Sequence, residues 1–290
     1  MRPIPVEFHL GPLAVHTYGI GLALTFWFGY RYFAYRLRRA GFRDDWLTTT
    51  FVWIVVSAIV GARLFHVLAN LSTYTADPIT VFAVWQGGLS SFGGLAFAIP
   101  TGFLSARRRC PALRGWAAAE LVTPVLVASW ALGRLLGPQL MIAGGGKATH
   151  QWFGMYYADE VGRRLPVPVF QALECIGIYL VLMALEHTFR RIGSAPRGAI
   201  TGVGVGLWGL SRFVDERLWL PPDPGSVPIE VLGIVLLALG GAGALWSTLR
   251  WARRRSPTPD DNSEGTPDSS AGRAPHPPLG AAQVGAGNSS

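Results

Sequence analysis

Charged residues are scarce in this sequence: only 14% of its 290 residues are Asp, Glu, Lys or Arg, whereas 50% are hydrophobic. A soluble domain of this length usually carries about 25% charged residues. Cysteine is rarer still, with Cys110 beside an arginine cluster and Cys175 inside an apolar stretch. Two cysteines placed so far apart indicate neither a disulfide scaffold nor a metal site, and we expect no metal or cofactor.

A cleavable signal peptide is also not predicted, because residues 1–10 contain Pro3, Pro5 and Glu7 where a basic stretch would lead into an apolar run. What the sequence has instead is 36 Gly, 11 Trp and a mean hydropathy of +0.32. Glycine is common in membrane helices, and Trp favours the edges of a bilayer. The net charge of +8 does not indicate a nucleic-acid partner, because the arginines form short clusters between long apolar stretches.

Apolar segments of membrane-spanning length organise most of the chain. A bilayer core of about 30 Å requires roughly 20 apolar residues per helix. Seven segments meet this requirement: 13–34, 47–69, 79–105, 114–136, 166–187, 198–217 and 227–249. The third contains the Gly-rich stretch 85–94, which is too polar for lipid contact, so we expect a broken or re-entrant element there. The predicted fold is an all-α polytopic membrane protein with about seven transmembrane helices.

The arginine clusters predict the orientation of these helices. Clusters follow the first, third, fifth and seventh segments, and they comprise Arg36, Arg38, Arg39 and Arg43, then Arg107, Arg108, Arg109 and Arg114, then Arg190, Arg191 and Arg197, then Arg250, Arg253, Arg254 and Arg255. The alternate loops hold far fewer positive charges. By the positive-inside rule the N-terminus lies outside and the C-terminus in the cytoplasm.

Two further regions follow from composition. Residues 1–255 form the predicted transmembrane domain, and residues 256–290 are rich in Pro, Gly, Ser and Asp with almost nothing apolar to bury. That composition predicts a disordered cytoplasmic tail. Segment 137–164 is the longest external loop, and we expect a gate or a substrate entrance there.

Three arginines lie inside the predicted spans: Arg63, Arg134 and Arg212. An intramembrane arginine is a functional candidate, although one near a helix end can also reach the headgroups or form a structural ion pair. Arg212 is placed between Trp208 and Glu216 at i, i+4, i+8 spacing, which puts all three on one helical stripe. Two arginine forks suit a phosphate, so the residues predict a cationic pocket for an anionic lipid.

Several segments resemble the prolipoprotein diacylglyceryl transferase family in order and spacing. They are His16-Thr17-Tyr18-Gly19, Gly61-Ala62-Arg63-Leu64, Trp85-Gln86-Gly87-Gly88 with Gly93-Gly94, Glu120-Leu121-Val122-Thr123-Pro124, Ala131-Leu132-Gly133-Arg134, and Leu207-Trp208-Gly209-Leu210-Ser211-Arg212-Phe213 with Glu216. In the last segment the family pattern is Tyr-Gly-x-x-Arg-Phe-x-x-Glu, so Trp208 replaces Tyr. The resemblance runs from about residue 8 to 250.

The resemblance implies transfer of the diacylglyceryl group of phosphatidylglycerol to the lipobox cysteine thiol of a prolipoprotein, at the outer face of the inner membrane. It implies a phospholipid contact for Arg134 and a headgroup or leaving-group contact for Arg212, with Tyr18 and Trp208 lining the cavity. The full set of site residues comprises Arg212, Glu216, Tyr18 and His16 as catalytic residues and Arg134, Trp208, Gly93, Gly94 and Arg63 as substrate-binding residues.

The sequence departs from the family pattern at polar positions. A His between the two Gly-Gly elements is Phe92 here, and the Gly-Asn element after Arg134 is Gly137-Pro138-Gln139. The family's His-Pro-Thr-x-Leu-Tyr-Glu element is Leu165-Pro166-Val167-Pro168-Val169-Phe170-Gln171, which lacks its His, Tyr and Glu. Because Phe92 cannot take a proton, another group has to activate the thiol.

The candidate bases are His16, His150, Asp215 and Glu216, and the sequence does not choose among them. Two other functions stay open. One is an accessory protein of the same fold that binds phosphatidylglycerol or lipoproteins without turnover. The other is an unrelated small transporter, which is disfavoured because no chain of ionisable residues crosses the predicted bilayer.

Overall fold

Helices dominate the computed structural model, which describes residues 7–10, 13–76, 78–82, 90–113, 115–136, 144–157, 160–222 and 227–255. The α-helices are α1 (Thr17–Arg39), α2 (Leu47–Ala69), α3 (Leu71–Ala76), α4 (Ser91–Arg109), α5 (Trp116–Leu136), α6 (Val167–Ile192), α7 (Ala199–Val214) and α8 (Val227–Arg253). A 3-10 helix spans Pro78–Phe82, and a π turn spans Asp215–Trp219. The predicted tail, 256–290, lies outside the described residues.

Four of these helices, α2, α5, α6 and α8, are long and apolar enough to cross a membrane. Most of their apolar side chains are exposed on the protein surface. In the most apolar stretch of α8, only 11% is buried within the protein. Such a surface requires lipid around it. The other three predicted spans also form helices, but α7 has 16 residues, and α1 and α4 are less apolar. The described part of the chain therefore supports an all-helical membrane protein with four candidate spans.

Two short antiparallel hairpins accompany the helices, and the sequence did not predict them. In the first, β1 (Glu7–Leu10) pairs with β2 (Leu13–His16), so that Glu7 lies opposite His16. In the second, β3 (Met155–Tyr156) pairs with β4 (Arg163–Arg164) in the loop between α5 and α6. Hairpins of two to four residues per strand carry too little alternating hydrophobicity to be recognised from a pattern.

The third predicted span, 79–105, is not one continuous helix. The 3-10 helix ends at Phe82, and α4 begins at Ser91 behind an N-cap at Ser90, whose hydroxyl accepts from the Gly93 amide. Residues 83–89, where we expected the re-entrant element, lie outside the described residues. α4 packs closely against α2, since a Cβ on Gly93 would lie 2.2 Å from the carbonyl oxygen of Gly61.

Helices α1, α5, α6 and α7 have alternating directions. At one end of this bundle, Gly21 of α1 lies against Leu136 of α5. At the other end, the Arg36 side chain donates to the Leu121 carbonyl, and Glu120 accepts from the Gly198 amide at the start of α7. The C-terminal ends of α5 and α7 therefore lie together, with the N-terminal ends of α1 and α6.

Helix α8 covers α7 through glycine contacts. A Cβ on Gly209 would lie 2.6 Å from the Gly233 carbonyl oxygen, and one on Gly240 would lie 2.4 Å from the Gly206 amide nitrogen. Small residues at this spacing let two membrane helices approach closely, where packing replaces the hydrophobic effect. The contact fixes the side of α7 that faces α8 and leaves its other side for α5 and α6.

Candidate active site

Two of the three arginines that the sequence predicts inside membrane spans meet at one indole ring. The guanidinium carbon of Arg134 lies 4.9 Å from the centre of the Trp130 ring, and that of Arg212 lies 6.0 Å from the same ring. Arg212 also lies 5.7 Å from the Trp208 ring. The two indoles meet edge to face, with centroids 5.5 Å apart. We call these four residues the arginine–tryptophan cluster.

Local spacing and helix packing together build this cluster. Trp130 and Arg134 are four residues apart on α5, and Trp208 and Arg212 are four apart on α7, so each pair lies on one face of its helix. The helices run in the same direction and bring both faces together. An arginine stacked on an aromatic ring still presents its N–H donors in the plane of the guanidinium group, where they can bind a phosphate. The arrangement thus holds two guanidinium groups beside one indole ring, and their predicted roles toward a phosphate stay predictions.

The described carboxylate that pairs with Arg212 is Asp215, in an ion pair whose side chains are 12% and 1% exposed. Sequence spacing had pointed to Glu216 instead. Asp215 lies three residues after Arg212, where the α-helix changes into a π turn, and side chains at i and i+3 share a helix face as those at i and i+4 do. Single π turns often mark functional sites. Glu216 is half-buried next in the chain, and its catalytic role stays a prediction.

Helix α6 contributes a carboxyl and an amide that sequence reasoning missed as site residues. Glu174 lies beside the Asp215 carboxyl and the Trp219 indole, within the field of Arg212. Gln171, one turn earlier on the same face, lies beside Asp215 and is 4% exposed. A signal was available, because a carboxylate inside a predicted span is a functional candidate in the same way as an arginine.

These buried polar groups lie close together without well-aligned hydrogen bonds to one another. Among the described residues, the side-chain atoms in this region that lack such a partner include Trp130 Nε1, Gln171 Oε1, Glu174 Oε2, Arg212 Nε, Asp215 Oδ1 and Trp219 Nε1. A buried polar group left unsatisfied costs about 1–3 kcal/mol. Native proteins keep such costs mainly where the groups serve a ligand or a reaction. The end of the bundle that contains the C-terminus of α7 is therefore the candidate active site.

The loop between α5 and α6 packs onto this end of the bundle. The Lys147 amide donates to the Trp219 carbonyl at 2.8 Å, and its ammonium donates to the Arg217 and Leu218 carbonyls, each at 3.1 Å. A cation at the last carbonyls of a helix also offsets the helix dipole. The predicted gate, 137–164, thus contacts the π turn through its described residues.

Aromatic rings connect the same loop to the site. Trp152, which is 87% exposed, contacts Phe153. Phe153 contacts Phe170 at a centroid distance of 6.2 Å, and Phe170 contacts Trp219 at 5.0 Å. Nearby, burial raises the pKa of Tyr157 to about 12. That phenol therefore stays protonated and is not a candidate base.

Arg63 has local partners away from the arginine–tryptophan cluster. Its Nε donates to the Val81 carbonyl at 2.8 Å, and it also donates to the Thr80 carbonyl. The guanidinium carbon lies 5.2 Å from the centre of the Tyr74 ring. These contacts anchor the 3-10 helix to α2. They give Arg63 a structural function, and its predicted contact with substrate stays a prediction.

Gly93 and Gly94 lie in the first turn of α4, where they face α2. A Cβ on Gly93 would also lie 2.6 Å from the Phe65 Cβ, whereas one on Gly94 would lie at an ordinary 3.5 Å from the Ala58 carbonyl oxygen. Gly93 is thus required for close helix packing. That requirement explains a glycine here without a substrate, so the predicted binding role of both glycines stays a prediction.

Several predicted positions cannot be placed in the site. His16 ends β2 and Tyr18 begins α1, but their side chains, like that of Phe92, are not among those the structure describes. Pro138 and Gln139 also lie outside the described residues. His150 is described and exposed in the loop between α5 and α6.

The fold and the site together define a class: a helical membrane protein with two arginines and buried carboxyls gathered at one end of its bundle. Bidentate arginine forks in such a setting suit a phosphate group better than any other common membrane ligand.

Comparison with known proteins specifies the class further. The family model for prolipoprotein diacylglyceryl transferase matches residues 5–249. The chain is 30% identical over 264 residues to the phosphatidylglycerol–prolipoprotein diacylglyceryl transferase of Hydrogenovibrio crunogenus, an alignment that covers 84% of this chain and 94% of that one. It is 29% identical over 275 residues to the enzyme of that name from Azotobacter vinelandii, covering 87% and 95%. The chain belongs to the prolipoprotein diacylglyceryl transferase family.

Proposed function

We propose that this protein transfers the diacylglyceryl group of phosphatidylglycerol to the lipobox cysteine thiol of prolipoproteins. Family membership over residues 5–249 supports the reaction. The observation that carries it on this chain is the meeting of Arg134 and Arg212 at Trp130, within 6.0 Å of the ring centre. That pair of forks suits the phosphate that links the two glycerol units of the lipid.

The chemistry assigns a separate task to each group. The sulfur forms a bond to the terminal carbon of the diacylglyceryl unit, and the bond from that carbon to the phosphate oxygen breaks. Glycerol phosphate leaves with an additional negative charge, and the thiol proton is passed on. Arg134 and Arg212 stabilise the charge that develops on the phosphate oxygens. Water is limited around them because the tryptophans cover one side.

We also propose that the site opens toward the outer face of a bacterial inner membrane. Three of the arginine clusters support this orientation, because α1, α6 and α8 each end in one. These ends lie together, opposite Arg212, since Ser247 of α8 bonds the Arg197 carbonyl before α7. The positive-inside rule then assigns the clusters to the cytoplasm. A periplasm-dependent reporter fused after Arg255 should be silent, and strong activity would reverse the orientation.

Binding without turnover is the second candidate function. It is favoured by the loss of the family's polar residues at Phe92 and Gln171. An accessory protein would keep the arginine pair for phosphatidylglycerol while lacking the groups that activate the thiol. Both functions need the same cluster, so only turnover separates them.

The deciding experiment measures transfer directly. Purified protein in detergent is mixed with phosphatidylglycerol labelled in its acyl chains and a lipobox peptide, and thioether product is quantified by mass spectrometry. We expect product with the parent protein and none when the peptide cysteine is replaced by serine. A stable parent that binds the lipid and yields no product, even as Phe92→His, would establish the accessory function in place of catalysis.

A further inference from the structure

The open chemical question is which group accepts the thiol proton. A thiol of pKa about 8.5 is only a few per cent ionised at neutral pH. A positioned base typically contributes 10²–10⁴-fold. Phe92 stands where the family resemblance places a His, and Gln171 stands where it places a Glu. An acid–base group is therefore needed from elsewhere in this chain.

Glu174 has the position that such a group requires. It lies three residues after Gln171 on α6, so both side chains project from one face of the helix toward α7. Its carboxyl lies beside Asp215 and Trp219 and within the field of Arg212. The Oε2 atom is buried and makes no well-aligned hydrogen bond within the described residues. A carboxylate oxygen whose lone pairs lack a well-aligned donor can accept a proton.

We propose that Glu174 is the proton acceptor for the lipobox thiol, with Asp215 as its positioning partner. This inference rests on the proposed transferase function. It assigns to Glu174 the task of a base that the sequence comparison alone left unfilled. The Glu174 carboxyl lies about one helical turn after Gln171, on the same face of α6.

The surroundings distinguish Glu174 from the other carboxylate. Asp215 is fully buried and holds an ion pair with Arg212, and it is also in the field of Arg134 from α5. Glu174 is half-buried and lies next to this ion pair.

The other charged and titratable groups facing Glu174 do not replace it. Arg212 of α7 and Arg134 of α5 act on the phosphate, and the neighbouring Cys175 thiol is buried in the apolar core. Among the candidate histidines, His150 is exposed in the loop. Glu174 is thus a half-buried carboxyl next to the arginine–tryptophan cluster, with one buried oxygen that lacks a well-aligned hydrogen bond and no described ion pair with an arginine.

The proposed step conserves protons and electrons. The peptide S–H bond gives its proton to Glu174, and the sulfur lone pair forms the S–C bond to the diacylglyceryl carbon. The electrons of the broken C–O bond leave with the phosphate oxygen, where the arginines hold them. Glu174 then releases its proton to the departing glycerol phosphate, which restores the carboxylate for the next turnover.

The test compares parent, Glu174→Gln and Asp45→Asn proteins in the transfer assay with lipobox peptide from pH 6.5 to 9. Asp45 is a matched control, since its carboxylate is 60% exposed in a surface ion pair with Arg43. We expect Glu174→Gln to lose about 10²–10³-fold at pH 7 and Asp45→Asn to match the parent. Binding of phosphatidylglycerol vesicles should be retained by all three.

The pH dependence separates a base from a structural residue. Between pH 7 and 9 the ionised fraction of the peptide thiol rises roughly 25-fold for a pKa of 8.5. Turnover by Glu174→Gln should rise by about that factor relative to the parent, because the thiol no longer needs a base. A loss that is equal at every pH, or no loss at pH 7, would overturn the proposal.

Two further outcomes are equally decisive. If Glu174→Gln is not recovered from membranes, Glu174→Asp keeps the carboxyl and should retain measurable transfer with the parental pH profile; a folded, silent Glu174→Asp contradicts the assignment. If the parent itself makes no thioether while binding the lipid, the transferase function fails first. That result differs from an active parent whose Glu174→Gln variant is unaffected.

Discussion

The two ends of the α1, α5, α6 and α7 bundle each bury an arginine against a carboxylate, but they satisfy it differently. At one end, Arg36 is 8% exposed on its side chain and bonds both the Leu121 carbonyl and, at 2.9 Å, a Glu186 oxygen. Glu186 also pairs with Arg190. At the other end, Arg212 meets Asp215 and two indole faces, and its Nε has no described partner.

This difference teaches that burial and charge alone do not identify a functional arginine. Arg36 and Arg212 are similarly buried, yet the groups around Arg36 complete each other's hydrogen bonds, which is what a structural ion pair requires. A cavity of about 310 Å³ even opens beside Arg36, lined in part by Tyr32 and His187. Unsatisfied polar atoms, and not cavity volume, direct attention to the Arg212 end.

The largest expected effect separates the two ends by activity. Arg212→Lys should lower transfer by about 10²–10³-fold, roughly 3–4 kcal/mol of barrier, because a point charge cannot reproduce a bidentate fork. Thermal stability in detergent should change little. Arg217→Lys is the matched control, since Arg217 is 64% exposed and pairs with Glu230 at 3.3 Å. Equal kinetics for both lysine variants would contradict a phosphate site at Arg212.

The converse experiment removes the ion pair between Arg36 and Glu186. Glu186→Gln should destabilise the fold by about 3 kcal/mol, because it leaves Arg36 buried without its full charge partner. Activity per folded molecule should be unchanged. Unfolding in mixed micelles measures the first quantity, and transfer normalised to folded protein measures the second. The double variant Arg36→Met/Glu186→Leu should regain most of the stability, and a large loss of turnover in it would erase the distinction between the ends.

Glycine packing gives a smaller effect that sharpens the comparison. Gly209→Ala should cost about 1–3 kcal/mol of stability, since its Cβ would lie 2.7 Å from the Leu237 amide nitrogen and force α7 and α8 apart. Gly243 of α8 has nothing within 4 Å of a Cβ. Gly243→Ala should therefore be neutral or stabilising by up to about 1 kcal/mol. Similar melting temperatures for the two variants would show that the packing of α7 against α8 at Gly209 accommodates a Cβ at little cost in stability.

The smallest effect calibrates the others. Asp45→Asn removes an ion pair whose partners, Arg43 and Asp45, are 86% and 60% exposed. Exposed pairs contribute at most about 0.5–1 kcal/mol and are screened by salt. The expected shift in unfolding free energy lies at or below that value, measured at low and high salt. A cost comparable to that of Glu186→Gln would mean that burial does not decide the strength of these pairs.

Much of the site was predictable because the relevant pattern is local. Trp208 and Arg212 share a helical face by spacing alone, and Arg134 stood out as a charge near the end of an apolar span. The pairing of Arg212 with Asp215 was not predictable, since residues three and four positions away share a helix face and only the folded side chains decide between them. Glu174 was predictable in principle, because a carboxylate inside a predicted span is a functional candidate for the same reason as an arginine. From the sequence, only the arginines were considered as intramembrane charges.

The sequence by itself determined that the chain forms apolar helices with arginines at defined positions. Lipid permits few alternatives for an apolar segment of about 20 residues, because every backbone hydrogen bond must be satisfied within it. Tertiary structure alone decided what each buried arginine does. Arg63 binds backbone carbonyls, Arg36 is neutralised by Glu186, and Arg134 and Arg212 share Trp130. The partner of a charged side chain depends on which helix packs against it. The hydrophobic periodicity of a single helix does not determine how helices pack against one another.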